Sequence, residues 1–485
     1  MKNKSIKKNY IFNLIYQILL VVIPLIVTPY ISRVLLPEGV GKYSFALSIV
    51  TYFTLFASFG FENYAQREIA KNQEDKAAQS KIFWEIIICR SITVCISLCI
   101  YLTLFLFYDR NLELMQILTI NIISAAFDIA FFFQGNEEFD KLIARSVILK
   151  VIGLILIFSF VKQVSDLKIY TLINSIIVIA SALIFWPSLI GRLTKVSIKT
   201  LNPLKHLRGS FKLFIPALAT VLYTMLDKTL IGLITKSDVQ NGYYEQAEKI
   251  VKLSMIVITC LGAAMIPRNS HEIAQGNHKQ VKQNVYNSFN FVWLLGFPMM
   301  FGIILVAENL VPWFLGDKFT YSIWLLKLFA PLVVIIGTSN ILGIQYMIPY
   351  KKEKQYTISL IMGCIINLIL NLILIYFYEA IGATIATIIA ECGVSVTMFL
   401  FLRKELSIIT ILKSAIKPLI AGIIMFICCY PLTLILSASI FNTCLIVGAG
   451  ILVYGVTIIL LRDKLLIEAF KSIKNKFKCN RNEGE

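Results

Sequence analysis

The chain has 485 residues, of which 58% are hydrophobic and only 15% charged, far from the roughly half-apolar, quarter-charged balance of a water-soluble domain. Its formal charge of +18 is gathered in short polar stretches between long apolar runs. That pattern excludes a soluble enzyme and argues against a nucleic-acid partner; lipid is the solvent this composition suits.

A helix rises about 1.5 Å per residue, so about 20 apolar residues cross a hydrocarbon core about 30 Å thick. Fourteen such segments are predicted in chain order, at residues 10–36, 43–61, 83–107, 114–133, 142–161, 169–190, 211–234, 244–266, 288–307, 321–346, 356–378, 381–402, 416–436 and 441–461. Continuous apolar runs read as helices, because open strands leave backbone groups unsatisfied in lipid and barrel strands alternate over about ten residues. The expected fold class is therefore all-α and polytopic: two six-helix lobes in parallel repeat, plus two C-terminal helices. The expected domains are an N-terminal lobe at 1–191, a basic cytoplasmic linker at 192–212, a C-terminal lobe at 213–402, the last helix pair at 403–463 and a basic cytoplasmic tail at 464–485. A faint echo supports the repeat: Ile23-Pro24, Gly41-Lys42-Tyr43 and Ile69-Ala70 against Ile215-Pro216, Gly242-Tyr243-Tyr244 and Ile273-Ala274.

Orientation follows the lysines and arginines. With the N-terminus inside, 33 of the 46 fall in inner loops or termini, 7 at outer positions, and 6 within spans. Both termini are thus expected in the cytoplasm, with the charge serving topology and attraction to anionic membrane lipids. The first span is too long for a cleavable signal. Nine of the ten cysteines lie in spans and Cys479 lies in the tail; without a CxxC pair, and with His206, His271 and His278 isolated in inner loops, neither disulfides nor a metal site is expected. The lack of a large outer loop weighs against a glycan polymerase or ligase.

Charges at membrane depth are expensive, and they usually face a cavity or a partner. Nine lie there: Arg90, Asp128, Lys150, Asp227, Lys228, Lys249, Lys252, Lys327 and Glu391. Six bases against three acids suit an anionic passenger such as a diphosphate, and Arg33, Arg90, Lys228 and Lys249 are the expected substrate-binding bases, spaced as a ladder along the transit path. Asp128, Asp227 and Glu391 are the expected ion-coupling acids. For each of these charges the competing reading is a structural pair or an interfacial snorkel; Lys150, Lys249 and Lys252 suit the latter. Asp227 and Lys228 point about 100° apart on a helix, so at least one must meet protein or water. Asn367 and Asn371 are expected to bond between helices, and Pro24, Pro29, Pro216, Pro298 and Pro331 to kink theirs.

The run Asp128-Ile-Ala-Phe-Phe-Phe-Gln134-Gly135-Asn-Glu137-Glu-Phe followed by Arg145 resembles the helix-four signature of the Wzx-type (RfbX-like) O-antigen and capsule repeat-unit flippases. That family belongs to the MOP (multidrug/oligosaccharidyl-lipid/polysaccharide) exporter superfamily. Pro24 through Arg33, Gly39, Gly41 and Tyr43 are similar to the family's opening; Gly60 to Glu62 and Arg67 to Ala70 to the end of its second helix; Leu226-Asp227-Lys228 and Gly242 to Lys249 to its helices seven and eight. Phe132 stands where the family usually has Trp. The resemblance spans essentially the whole chain. It implies alternating access by two lobes around a hydrophilic cavity, moving an undecaprenyl-diphosphate-linked oligosaccharide from the inner to the outer leaflet of the cytoplasmic membrane. A proton or sodium gradient would drive it, with no cofactor. A polysaccharide polymerase and a chain-length regulator are the expected protein partners. Rival readings are a lipid II flippase, which shares fourteen helices and a cationic cavity, and a multidrug exporter with cavity acids. The absence of a Walker-type phosphate loop argues against direct ATP use.

Overall fold

The computed structural model describes residues 6–462, and the expected tail at 464–485, with Cys479, lies outside them. Every regular element among the described residues is helical. In the first half these are α1 (Ile6–Ser58), α2 (Phe61–Lys71), α3 (Lys76–Leu104), α4 (Leu112–Phe127), α5 (Ala130–Gly135), α6 (Phe139–Phe160), α7 (Leu167–Leu183) and α8 (Leu207–Thr235). The second half holds α9 (Asp238–Ala274), α10 (His278–Phe314), α11 (Ser322–Phe329), α12 (Leu332–Asn340), α13 (Glu353–Leu402), α14 (Ile408–Ile435) and α15 (Ile440–Leu460). A π-helical turn, Ile341–Met347, extends α12.

Twelve helical segments among the described residues are long and apolar enough to cross a membrane. Two of these are unusually long, and each contains one residue outside helical geometry: Leu36 (φ 58°, ψ 173°) in α1 and Glu379 (φ 48°, ψ −127°) in α13. Leu36 precedes Pro37, whose ring disfavours helical backbone in the residue before it.

By packing, the chain divides into two compact units, Met1–Glu245 and Gln246–Glu485, with the division falling inside α9. In the first unit α1 is central and touches α3, α4, α6 and α8; in the second, α10 packs against α12, α14 and α15. Lipid-type patterning follows: Ile92, Ile96, Ile100, Ile369, Ile427 and Leu452 are exposed, as expected of residues whose solvent is hydrocarbon.

The basic segment 192–212 is bonded into the first unit at many points. The backbone N–H of Thr194 donates to Ser80 Oγ at 2.8 Å, and Arg192 Nη1 reaches Glu138 at 2.6 Å. Glu85, fully buried, accepts from Asn202 N at 2.8 Å, Lys205 Nζ at 2.7 Å and His206 Nε2 at 3.0 Å; His206 Nδ1 lies 2.9 Å from the Tyr64 hydroxyl. A carboxylate buried this deeply needs such a set of donors.

Candidate functional site

The signature run Asp128–Phe139 is where the fourth membrane helix breaks. Expected to continue to Phe133, the helix instead ends at Phe127: Asp128 adopts extended geometry (φ −75°, ψ 111°) before the short α5 begins at Ala130. The reason is local. Asp128 Oδ1 accepts from the backbone N–H two residues on, at 2.9 Å, an Asx turn that competes with the helix. Carbonyls freed at a helix end must find donors; Trp186 Nε1 donates to Phe127 O at 2.7 Å and Arg90 Nη1 to Asp128 O at 2.6 Å. A cation at a helix C-terminus is also favoured by the helix dipole.

The rest of the run anchors this break. Phe131, Phe132 and Phe133 are buried in one cluster with Phe61, Ile69, Phe83 and Phe185. Phe132, in place of the family's usual Trp, sits edge-on to Phe83. Gln73 Nε2 donates to Gly135 O at 2.7 Å and Gln79 Nε2 to Asn136 Oδ1 at 2.9 Å, tying the run to the connection between α2 and α3 and to the first turns of α3. Arg145 donates to Ser181 O at 2.8 Å, with its guanidinium 4.8 Å over Phe185.

Beside the break lies a cavity of about 390 Å³, inside the first unit. Its polar lining is Thr51, Thr54 and Ser58 of α1, Glu62 of α2, Arg90 of α3, Asn121, Ser124 and Asp128 at the end of α4, and Ser181 of α7. Arg90 is only 3% exposed, yet its Nε is without a hydrogen-bond partner, and Asn121 Oδ1 is likewise unpartnered. The cation expected to receive an anion therefore shares its cavity with two carboxylates.

Asp227 and Lys228 are both buried, at 4% and 7% exposure, so neither escapes to an interface. Asp227 accepts from the Tyr244 hydroxyl at 2.5 Å, and Lys228 pairs with Glu245 at 2.5 Å. Glu245 also accepts from Ser44 at 2.8 Å, and Asn241 Nδ2 donates to Lys228 O at 2.8 Å. The helices meet here on glycines. A Cβ on Gly41 would fall onto the Asp238 carbonyl, and one on Gly242 onto the Pro37 carbonyl; the Gly-Lys-Tyr and Gly-Tyr-Tyr echoes thus mark one backbone crossing. Nearby, Arg110 pairs with Asp238 at 2.6 Å.

The remaining expected site residues are dispersed. Arg33 is exposed on α1 and does not line the cavity. Lys249 is half-buried and Glu391 is buried, beside Tyr356; both lie in the second unit. Lys252 pairs with Glu248 one turn away and Lys327 with Glu308. Asn371 donates to Asn367 at 2.9 Å along the same helix. The second unit also holds an almost wholly apolar cavity of about 600 Å³ between α10, α14 and α15, with Ser254 and Tyr454 its polar exceptions. Sequence reasoning passed over Glu62, Asn121, Glu85 and Glu245 as functional candidates. Glu245 had a usable signal, since a mid-membrane lysine calls for a counter-ion; Asn121 had none.

The fold has close counterparts among solved membrane proteins. A structure titled "Lipid II flippase MurJ, inward closed conformation" superposes with a TM-score of 0.65 at 16% identity, covering 91% of this chain and 99% of that one. An inward-facing MATE family multidrug transporter of the MOP superfamily gives 0.61 at 13% identity, covering 81% and 99%. In sequence, the Escherichia coli K12 protein named "Putative O-antigen transporter" is 26% identical over 409 residues, 83% of this chain and 97% of its own length. "Lipid II flippase MurJ" of Bacillus subtilis is 24% identical over 163 residues, 33% of this chain and 29% of its own. The family model described as "Polysaccharide biosynthesis protein" matches residues 6–273, more than half of the chain and the part that holds the broken helix, the Arg90 cavity and the glycine crossing, and the protein belongs to that family.

Proposed function

We propose that the protein is a transporter, not an enzyme, and that it moves undecaprenyl-diphosphate-linked oligosaccharide repeat units from the inner to the outer leaflet of the cytoplasmic membrane for surface polysaccharide assembly. The observation that carries this reading is a polar, charged cavity held at a helix break inside an otherwise apolar bundle. Irregular backbone is tolerated at membrane depth where it lines a cavity, and transporters place substrate at such breaks. The names of the sequence relatives agree with the reading.

The break residues Leu36 and Glu379 support counting α1 and α13 as two crossings each, which gives fourteen, an even number with both termini in the cytoplasm. Arg33, Arg90, Lys228 and Lys249 are the proposed substrate-binding bases, and Asp128, Asp227 and Glu391 the proposed ion-coupling acids, with a proton or sodium ion as driver and alternating access of two lobes as the cycle. A polysaccharide polymerase and a chain-length regulator would take up the product. Exchanging Asp227 for Asn and Glu391 for Gln and measuring transport against an imposed gradient tests the coupling; unchanged gradient dependence in both removes them from that role.

Deletion of the gene in its host tests the whole. Surface polysaccharide is expected to disappear while lipid-linked oligosaccharide accumulates on the cytoplasmic face. Normal delivery of that lipid to the outer leaflet in the deletion strain overturns the reading.

A further inference from the structure

The cavity beside Arg90 has a hydrogen-bonding character that is inconsistent with a diphosphate. The hydroxyls of its α1 and α4 walls are spent as donors on their own helices: Thr51 bonds Leu47 O, Thr54 bonds Val50 O, Ser58 bonds Thr54 O and Ser124 bonds Asn121 O, at 2.7–2.9 Å. What they turn outward is oxygen lone pairs. Glu62, Asp128 and the unpartnered Asn121 Oδ1 add further acceptors. Against these acceptors stand fewer donors: the buried, unpartnered Nε of Arg90, the side-chain amide N–H groups of Asn121 and the Ser181 hydroxyl.

A phosphate offers only acceptors and brings negative charge, so two carboxylates repel it and the acceptor-rich wall gives it little in return. An organic cation meets the opposite obstacle in Arg90. The matching ligand is electrically neutral, rich in O–H donors, and able to accept from Arg90 with the same groups. A sugar ring fits that description, and a cavity of about 390 Å³ lies within the ~300–1,000 Å³ of small-molecule sites. We infer that the cavity formed by Glu62, Arg90, Asn121 and Asp128 is a glycan subsite, which binds a neutral, hydroxyl-rich sugar of the lipid-linked substrate and leaves the diphosphate to bases elsewhere.

This assignment rests on the transport reading and refines it. Its consequence is selectivity, because a site whose buried acceptors need hydroxyl partners discriminates strongly against ligands that lack them.

The probes are the lipid-linked oligosaccharide that accumulates in the deletion strain, and undecaprenyl diphosphate from which the glycan has been removed, each titrated against the full-length protein in lipid nanodiscs. Wild type is expected to bind the glycosylated lipid at least tenfold more tightly than the bare diphosphate. Asn121→Leu is expected to erase that margin while binding undecaprenyl diphosphate as wild type does, and Glu62→Gln, which removes one repelling carboxylate, to erase it while binding undecaprenyl diphosphate at least as well as wild type, which also certifies that the variants are folded. Thr54→Val, a smaller change on another helix, is expected to narrow the margin. Retention of the full margin in all three variants overturns the subsite. So does a loss of undecaprenyl diphosphate binding equal to the loss for the glycosylated lipid, which would assign the cavity to phosphate. Equal wild-type affinity for both lipids overturns the subsite and leaves the transport reading standing; no wild-type binding of either overturns both.

Discussion

Lys228 and Glu245 illustrate how this protein keeps charge at membrane depth. The lysine is 7% exposed and its carboxylate partner, 2.5 Å away, is further held by Ser44. Removing one partner of a fully buried pair costs about 3–5 kcal/mol because the other charge is stranded, whereas replacing both by apolar groups can be neutral; the cost is smaller here, since the glutamate side chain is 23% exposed. Lys228→Met alone is therefore expected to lower the melting temperature of the purified protein by several degrees, and Lys228→Met with Glu245→Leu to restore it. If the double variant regains stability but not surface polysaccharide, the pair acts in transport; recovery of both would reduce it to a structural pair. Glu85 is a different case. It receives three donors from residues 202–206, so Glu85→Ala is expected to loosen the basic segment and expose it to protease in inside-out vesicles, and an unchanged cleavage rate would count against that role.

At the scale of helices, the crossing of α1 with the start of α9 is set by backbone meeting backbone. Overpacking a core costs about 1–3 kcal/mol when side chains can move aside, but here the obstacle to a side chain at Gly41 or Gly242 is a carbonyl group of the opposite helix. Gly41→Val and Gly242→Val are each expected to reduce the yield of folded protein severely. Gly448→Ala is the contrast: nothing lies within 4 Å of the added carbon, and alanine favours helix by up to about 1 kcal/mol, so its melting temperature should stay level or rise. Equal behaviour of the three variants in a detergent thermal-unfolding series would contradict the crossing. The glycines were legible as a repeated motif, but their purpose was not, because the partner carbonyls lie about 200 residues away in sequence and only packing brings them together.

For the molecule as a whole, the topology is open to direct measurement. On a cysteine-free background, a cysteine at the exposed position Asn202 is expected to resist an impermeant thiol reagent in intact cells and to react after permeabilisation; labelling in intact cells would invert the orientation. By itself the sequence determined the class, an all-helical chain of long apolar segments, and two of its segment ends, at residues 36 and 378, fall where the backbone leaves helical geometry, at Leu36 and Glu379. It could do so because crossing a bilayer is a local demand on length and apolarity. It also singled out Arg90, Asp128, Asp227 and Lys228, since a charge in an apolar run is conspicuous wherever it points. Which charges share a cavity was decided by the tertiary structure alone. An Asx turn stopped α4 short of Phe133, Arg90 was drawn to the carbonyl this freed, and Glu62 of α2 and Asn121 of α4 share its cavity, a meeting that the order of residues along the chain does not announce. Pairing energies depend on distance and burial, and neither is written in a linear pattern of residue types.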